Sequence, residues 1–312
     1  MKNYRIPRTD LDVSRIACGC MHLGRSWDEA PVTAEEKSTA IALVEAAVDQ
    51  GITLFDHADI YARGKSELLF GEALRQIPGL RERIVLQSKC GIRLAGDPDA
   101  GSPARYDFSR GHLVRSVEGI LKRLDTDYLD LLLLHRPDPL MEPAEVASAF
   151  DHLLDSGKVL HFGVSNHNAA QISFLQEHLD QPLVVNQIEM SLLHHGPVSD
   201  GILFNQAGDG GASATLDYCR EYEILVQAWS PLAGGKLAGP ALELAEQYAQ
   251  AKGVATEAIL LAWLLRHPAG IQPVIGTTRP DRLAAACAAD GIELSREEWY
   301  ALLAAVRGGG VP

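Results

Sequence analysis

TLFDHADIY, residues 53–61, begins as a buried strand and ends as something else. Thr53, Leu54 and Phe55 suit a strand interior, but Asp56 and His57 follow at once, with Asp59 and Tyr61 close behind. A strand packed in a core has no structural use for two acids and a histidine at its end, because a buried charge has to be paired or solvated. The polar end marks a place where the chain is wet, paired or reactive.

The same change of character recurs along the chain. Apolar runs occupy 15–20, 52–58, 83–90, 128–135, 159–166, 182–189, 223–230 and 271–277, eight in all. Segments of helical period lie between them. In 34–51, Ile41, Val44, Glu45 and Val48 recur at helical spacing and Gly51 suits the stop. In 110–127, Leu113, Val117, Ile120, Leu121 and Leu124 share a face, and 142–158 opens with Pro143 and closes at Gly157. Eight strand–helix alternations are the pattern of parallel β/α units, and strands apolar throughout fit a sheet covered on both faces. A doubly wound sheet gives no reason for polar residues at the end of nearly every strand. A closed (β/α)₈ TIM barrel does, since its active site is built at the C-terminal strand ends. The expectation is therefore a single barrel domain over 1–312, with 91–111 as a long active-site loop and 295–312 as a C-terminal helix and tail. The glycine-rich end, 308–312, is expected to fold over the mouth.

Composition narrows the function. Hydrophobic residues make up 46% of the 312, enough for a sizeable core, and no run reaches the roughly 20 apolar residues of a membrane helix. A formal net charge of −13 argues against nucleic acid and anionic membrane as partners. The start has no apolar signal core, and five scattered cysteines, an odd number, suggest reduced thiols in a cytoplasm. Cys18 and Cys20 read as packing groups, and His57, His194 and His195 as solvated loop residues rather than metal ligands. No metal is expected.

The strand ends bring Asp56, Lys89, His135, Ser165, Asn166, Gln187, Trp229, Ser230 and Thr277 to one mouth, with Tyr61 just past the second strand. Singly, each has a plain structural explanation: Asp56 could cap a turn, Tyr61 lie on the surface, His135 pair with a carbonyl. Lys89 is harder to explain so, because lysine is almost never buried without a partner. Together they suit proton delivery to a carbonyl oxygen. A phenol with a pKa near ~10 is made more acidic by an ammonium beside it, a carboxylate keeps that ammonium charged, and a neutral imidazole orients the carbonyl. None of these groups supplies hydride, so a cofactor must. Trp27, after the first strand, reads equally as a pocket wall or a surface aromatic.

These residues resemble the aldo-keto reductases. FDHADIYARGKSELLFGEAL (55–74) is similar to that family's D-x-A-x-x-Y-G-x-S-E-x-x-x-G pattern through Asp56, Ala58, Tyr61, Gly64, Ser66, Glu67 and Gly71. LQSKCG, DLLLLHRPDP, HFGVSNHN, VVNQIEMSLL and LVQAWSPLAGG resemble its later segments in the right order over almost the whole chain. HRPDPLM and the terminal RGGGVP look closest to the YdhF-like bacterial oxidoreductases. The resemblance implies a tetrad of Asp56, Tyr61, Lys89 and His135, with Tyr61 as general acid, Lys89 its partner, Asp56 the anchor of Lys89 and His135 orienting the carbonyl. It implies that Ser165, Asn166 and Gln187 hold the nicotinamide carboxamide, that Trp229 stacks on the ring where the family usually has tyrosine, and that Ser230, Leu232 and Gly234 follow the pyrophosphate. At the adenosine end the family often shows P-K-S-x-x-x-x-R; here Gly276 stands at the lysine, Thr277 at the serine and Arg282 at the arginine, with Arg279 an additional cation. NADPH is the cofactor this favours over NADH. The implied function is reduction of small-molecule aldehydes or ketones by a monomer or loose homo-oligomer. The alternative is a nucleotide-binding regulatory subunit like those of potassium channels, and a metal-dependent barrel hydrolase lacks a ligand set.

Overall fold

In the computed structural model, which describes residues 1–203 and 214–310, the chain opens with an antiparallel hairpin, β1 (Asn3–Arg5) and β2 (Asp12–Ser14). The strands β3 (Ala17–Gly19), β4 (Leu54–Asp56) and β5 (Val85–Cys90) follow. A small hairpin, β6 (Ile92–Arg93) and β7 (Arg105–Tyr106), comes next, and then β8 (Leu129–Leu134), β9 (Val159–Ser165), β10 (Leu183–Glu189), β11 (Leu225–Trp229) and β12 (Gln272–Ile275). Eight of them, in the order β10-β11-β12-β3-β4-β5-β8-β9, close into a barrel whose pairings are all parallel. Each of the eight apolar runs contains one barrel strand.

Local chemistry explains the element ends. Thr33 and Glu36 form a reciprocal capping box before the helix Ala34–Asp49, as do Asn168 with Gln171 and Ser295 with Glu298 before theirs. Pro143 sits in the first turn of the helix Pro143–Asp155, where its missing N–H costs nothing. The face of Ala34–Asp49 turned to the barrel is Ala40, Leu43, Val44 and Ala47, so the expected stripe is rotated and Glu45 is exposed. In the helix Arg110–Leu124 the stripe Leu113, Val117, Ile120, Leu121 and Leu124 is buried as its spacing predicts. Gly163 on β9 has a specific reason: a Cβ there would lie 2.6 Å from both Leu133 Cδ2 and the Val185 carbonyl oxygen, so any side chain would wedge the sheet apart.

The core has two parts. The larger fills the space between helices and barrel wall. The smaller stoppers the N-terminal end of the barrel: Ile6 and Val13 of the opening hairpin pack on Leu54, Val85, Leu131, Val185, Leu225 and Val274. This hairpin was not foreseen from the sequence. The 91–111 segment carries β6 and β7 and is braced by Arg93, which bonds Asp97 (2.9 Å) and Asp107 (2.9 Å). The C-terminal helix Arg296–Arg307 buries Trp299, Leu302 and Leu303 on the outside of the barrel, with Trp299 stacked on Trp263 at 5.0 Å and Glu298 paired to Lys252. Residues 308–310 are not among those lining the cavity, and 311–312, the rest of the tail expected to fold over the mouth, lie outside the described residues. Among the described residues no helix is long and apolar enough to cross a membrane.

Candidate active site

A cavity of about 880 Å³ opens at the C-terminal ends of the barrel strands. Its wall takes Gly19 from the end of β3, Asp56 from β4, Ser165 from β9, Gln187 from β10, Trp229 from β11 and Ile275 from β12. Tyr61 and His135 reach it from the turns after β4 and β8. Lys89, 1% exposed, lies behind this wall.

Lys89 Nζ donates to Asp56 Oδ1 at 2.6 Å and to the His57 carbonyl at 2.8 Å, and the Tyr61 phenol lies close enough to act on its charge. Its Nζ is 5.0 Å from the Tyr61 ring centroid. Burial works against the ammonium, but Asp56 and then Tyr61 outweigh it, so the Lys89 pKa is raised and the side chain stays charged. Tyr61 behaves otherwise than the sequence suggests. Burial raises its pKa more than Lys89 lowers it, and Asp56 raises it further, so the phenol is held protonated above its ordinary range. Lys89 therefore limits the rise rather than producing a phenolate, which suits a group that has to give a proton. His135 stands edge-on to Tyr61 at 5.9 Å between ring centroids. Burial, then Lys89 and Arg136, hold its pKa well below the usual range, so the imidazole is neutral.

On the opposite side, Trp229 Nε1 donates to Asn166 Oδ1 (2.9 Å), and Asn166 Nδ2 donates to the His135 carbonyl (3.1 Å) and to Ser165 Oγ (3.0 Å). Asn166 has φ 62°, a left-handed conformation that asparagine tolerates better than most residues. These bonds fix the indole beside His135. Beyond Trp229, Ser230 (φ 50°), Ala233 (φ 49°), Gly234 (φ 61°) and Gly235 (φ 75°) curl the backbone in the left-handed region, with open space around both glycines. A concave backbone of this kind turns amide N–H groups toward an anion. Ser230, Leu232, Gly234, Gly276, Thr277 and Arg282 all line this arm of the cavity. Arg279 does not: its guanidinium bonds Asp281 (Nε to Oδ1 3.1 Å) at the exposed start of the helix Pro280–Cys287. Trp27 lines the mouth and is 46% exposed, so it is wall and surface at once. The residues fit a nicotinamide dinucleotide: an indole face and amides at one end, a concave backbone in the middle, and Arg282, which has no ion-pair partner among the described residues, at the other.

Other expectations change. His57 is wholly buried, edge-on to Phe70 at 4.6 Å, with neither ring nitrogen partnered among the described residues, so it is not a solvated loop residue. Burial, and then Lys89, lower its pKa to about 3. His195 Nδ1 contacts Ser199 Oγ at 2.7 Å, and among the described residues no three histidine, cysteine or acidic side chains form a metal-holding group. Cys18 and Cys20 are buried in the core. The cavity also draws on residues the sequence does not single out: Met21, His22, Ile60, Ile92 and Arg136, and Glu246 and Glu257 from two outer helices. Their signal is only in the folded arrangement, since helical pattern says nothing about which exposed residue meets a groove.

Comparison with known proteins decides the family. The Aldo/keto reductase family model matches residues 15–307. The chain belongs to the aldo/keto reductase family. It is 39% identical to Oxidoreductase YdhF of Escherichia coli, over 87% of this chain and 89% of that one, in keeping with the YdhF-like resemblance. It is also 39% identical to 6-dehydroglucose reductase of Agrobacterium fabrum, over 96% of each chain. The crystal structure of an aldo/keto reductase from Klebsiella pneumoniae in complex with NADP and acetate is 28% identical, with a TM-score of 0.72 over 93% of this chain and 90% of that one. As an aldo-keto reductase, this chain is an NAD(P)H-dependent oxidoreductase, and its eight-stranded parallel barrel is the fold its relatives share.

Proposed function

We propose that this aldo-keto reductase reduces small aldehydes or ketones to alcohols with NADPH, using Tyr61 as proton donor. The observation that carries the reading is Lys89, charged and buried, held by Asp56 at 2.6 Å directly behind a protonated Tyr61 on the cavity floor. When bound, the reduced nicotinamide supplies the hydride that forms the new C–H bond. Tyr61 gives its O–H proton to the carbonyl oxygen as negative charge develops there, and the phenolate so formed is stabilised by Lys89 until solvent returns a proton. Neutral His135 orients the carbonyl and donates to the same oxygen. Ser165, Asn166 and Gln187 hold the carboxamide, Trp229 covers the ring face, and Ser230, Leu232 and Gly234 follow the pyrophosphate. Thr277 and Arg282 contact the 2′-phosphate, with Gly276 beside them, while Arg279 adds to the local field from outside the wall. The Arg282 guanidinium at this end supports NADPH over NADH.

The relative named 6-dehydroglucose reductase supports a sugar carbonyl in the substrate panel, and a mouth that combines Trp27 with Arg136 accepts polar as well as aromatic carbonyls. The test is Tyr61→Phe, assayed with 4-nitrobenzaldehyde and with 6-dehydroglucose. Turnover falls by roughly 10²–10⁴-fold, the usual weight of a positioned proton donor, while NADPH binding by fluorescence titration is unchanged. Near-parent turnover in Tyr61→Phe refutes the mechanism, and tight NADPH binding without turnover in the parent itself points to a regulatory subunit instead.

A further inference from the structure

The barrel interior holds a layer of glutamines beneath the cavity floor. Gln87, Gln187, Gln227 and Gln272 are each no more than 1% exposed. Register aligns them: Asp56 pairs with Gln87 across β4 and β5, Gln187 with Gln227 across β10 and β11, and Gln227 with Gln272 across β11 and β12. In the closed order of eight, β11 and β5 stand four strands apart, diametrically opposite. Their two amides meet across the axis. Gln87 Nε2 donates to Gln227 Oε1 (2.8 Å) and Gln227 Nε2 donates back to Gln87 Oε1 (3.1 Å).

The remaining bonds run outward from that pair. Gln87 Nε2 gives its other hydrogen to Asp56 Oδ1 at 2.6 Å, the oxygen that also accepts from Lys89. Gln187 Nε2 donates to Gln227 Oε1 at 3.0 Å. Gln227 Nε2 donates to Gln272 Oε1 (2.9 Å), and Gln272 Nε2 ends the chain on the Ser14 carbonyl of the opening hairpin (2.7 Å). Both ends are pure acceptors, a carboxylate and a carbonyl. Each amide between them therefore has one orientation that satisfies the network, and none can flip without leaving two like groups facing each other.

We infer that Gln87 and Gln227 are positioning residues, forming an amide strut across the barrel that aims Asp56 at Lys89 and fixes Gln187 on the opposite wall. The strut ties the two halves of the site, the proton-donating side and the carboxamide-holding side, to one rigid frame. A carboxylate held by Lys89 alone is free to rotate about its Cβ–Cγ bond; the second donor on the same oxygen removes that freedom. Gln187, pinned through Nε2, presents Oε1 as a fixed acceptor. The inference rests on the roles proposed above for Asp56 and Gln187.

The experiment uses the full chain and five proteins: parent, Gln87→Met, Asp56→Asn, the double variant of these two, and Gln227→Met, with kcat and KM for 4-nitrobenzaldehyde, NADPH affinity and Tm measured on each. Gln87→Met is expected to lower kcat about tenfold with NADPH affinity within twofold of the parent. In the Asp56→Asn background the same change has no further effect on kcat, because there is no carboxylate left to aim. Gln227→Met lowers kcat and weakens NADPH binding together. A Gln87→Met protein with parental kcat, or one that loses only Tm, or equal losses in both backgrounds, overturns the inference. Should Gln87→Met be insoluble, Gln227→Asn, which keeps a buried amide too short to span the axis, is read with the outcomes given for Gln227→Met, and parental kcat and NADPH affinity overturn it equally. Failure of the underlying chemistry is separable: it shows as Tyr61→Phe retaining turnover, whatever the glutamine variants do.

Discussion

Separating Asp56 from Lys89 should cost both stability and turnover, and the two losses should behave differently when both residues are changed. The atoms are 2.6 Å apart and the side chains 3% and 1% exposed. At an effective dielectric of about 20 their attraction is about 6 kcal/mol before desolvation is subtracted. Removing one partner leaves the other charge buried alone, which in measured cases costs about 3–5 kcal/mol. Asp56→Asn and Lys89→Met are each expected in that range by urea unfolding at pH 7. The double variant has no orphan charge, and Gln87 Nε2 still finds the asparagine carbonyl, so it should recover to within about 2 kcal/mol of the parent. Turnover does not recover in any of the three: Lys89→Met and the double variant take the ammonium away from Tyr61, and Asp56→Asn leaves that ammonium without the carboxylate that aims it. The sign with pH follows from the raised Lys89 pKa: the stability contributed by the Lys89 ammonium is complete below the unfolded value of 10.5 and is lost as pH climbs through the folded value above it. Single variants costing under about 1 kcal/mol, or a double variant equal to the sum, would show that Lys89 is not held as a buried cation.

His57, buried and unpartnered with a pKa of about 3, binds a proton more readily unfolded than folded, so its stabilising contribution is present above pH 6.5 and lost as pH falls toward 3. Unfolding curves of parent and His57→Leu between pH 6 and 5 should differ in slope by roughly 1.4 kcal/mol per pH unit, the variant being flatter; parallel slopes would mean that the ring is solvated. Arg282→Gln should weaken NADPH binding about 10–100-fold, the worth of a hydrogen bond to a charged group, and leave NADH within twofold. Equal weakening of both cofactors would place the arginine away from the 2′-phosphate. Gly163→Ala, with its Cβ 2.6 Å from Leu133 Cδ2 and the Val185 carbonyl, should lower stability by about 1–3 kcal/mol in denaturant titration; an unchanged midpoint would mean that β9 and β10 yield freely.

Strand–helix alternation was readable because a parallel barrel needs strands apolar on both faces, and runs such as 128–135 and 182–189 carry that requirement in full. The polar strand ends were readable for the complementary reason: Lys89 and His135 have no place in a sheet except at a mouth. The opening hairpin was not, since β1 and β2 are three residues each, too short for an alternation of apolar and polar residues to stand out. Nor was the glutamine layer, although a signal exists: Gln87 lies two residues before Lys89 and Gln227 two before Trp229, which places each on its neighbour's side of the strand. The sign of the Tyr61 shift depends on how deeply the ring is enclosed, and spacing along a chain does not encode depth. Arg279 was misplaced because its companion Asp281, two residues on, competes for the guanidinium at the surface.

The stopper made by Ile6 and Val13 has a kinetic corollary. With the far end of the barrel filled by hydrocarbon, the described residues leave the barrel interior open toward the mouth at the C-terminal strand ends. On the proposed reading, substitutions along the arm from Trp229 to Arg282 change how quickly the spent dinucleotide leaves, and those beside Tyr61 and His135 change the chemical step.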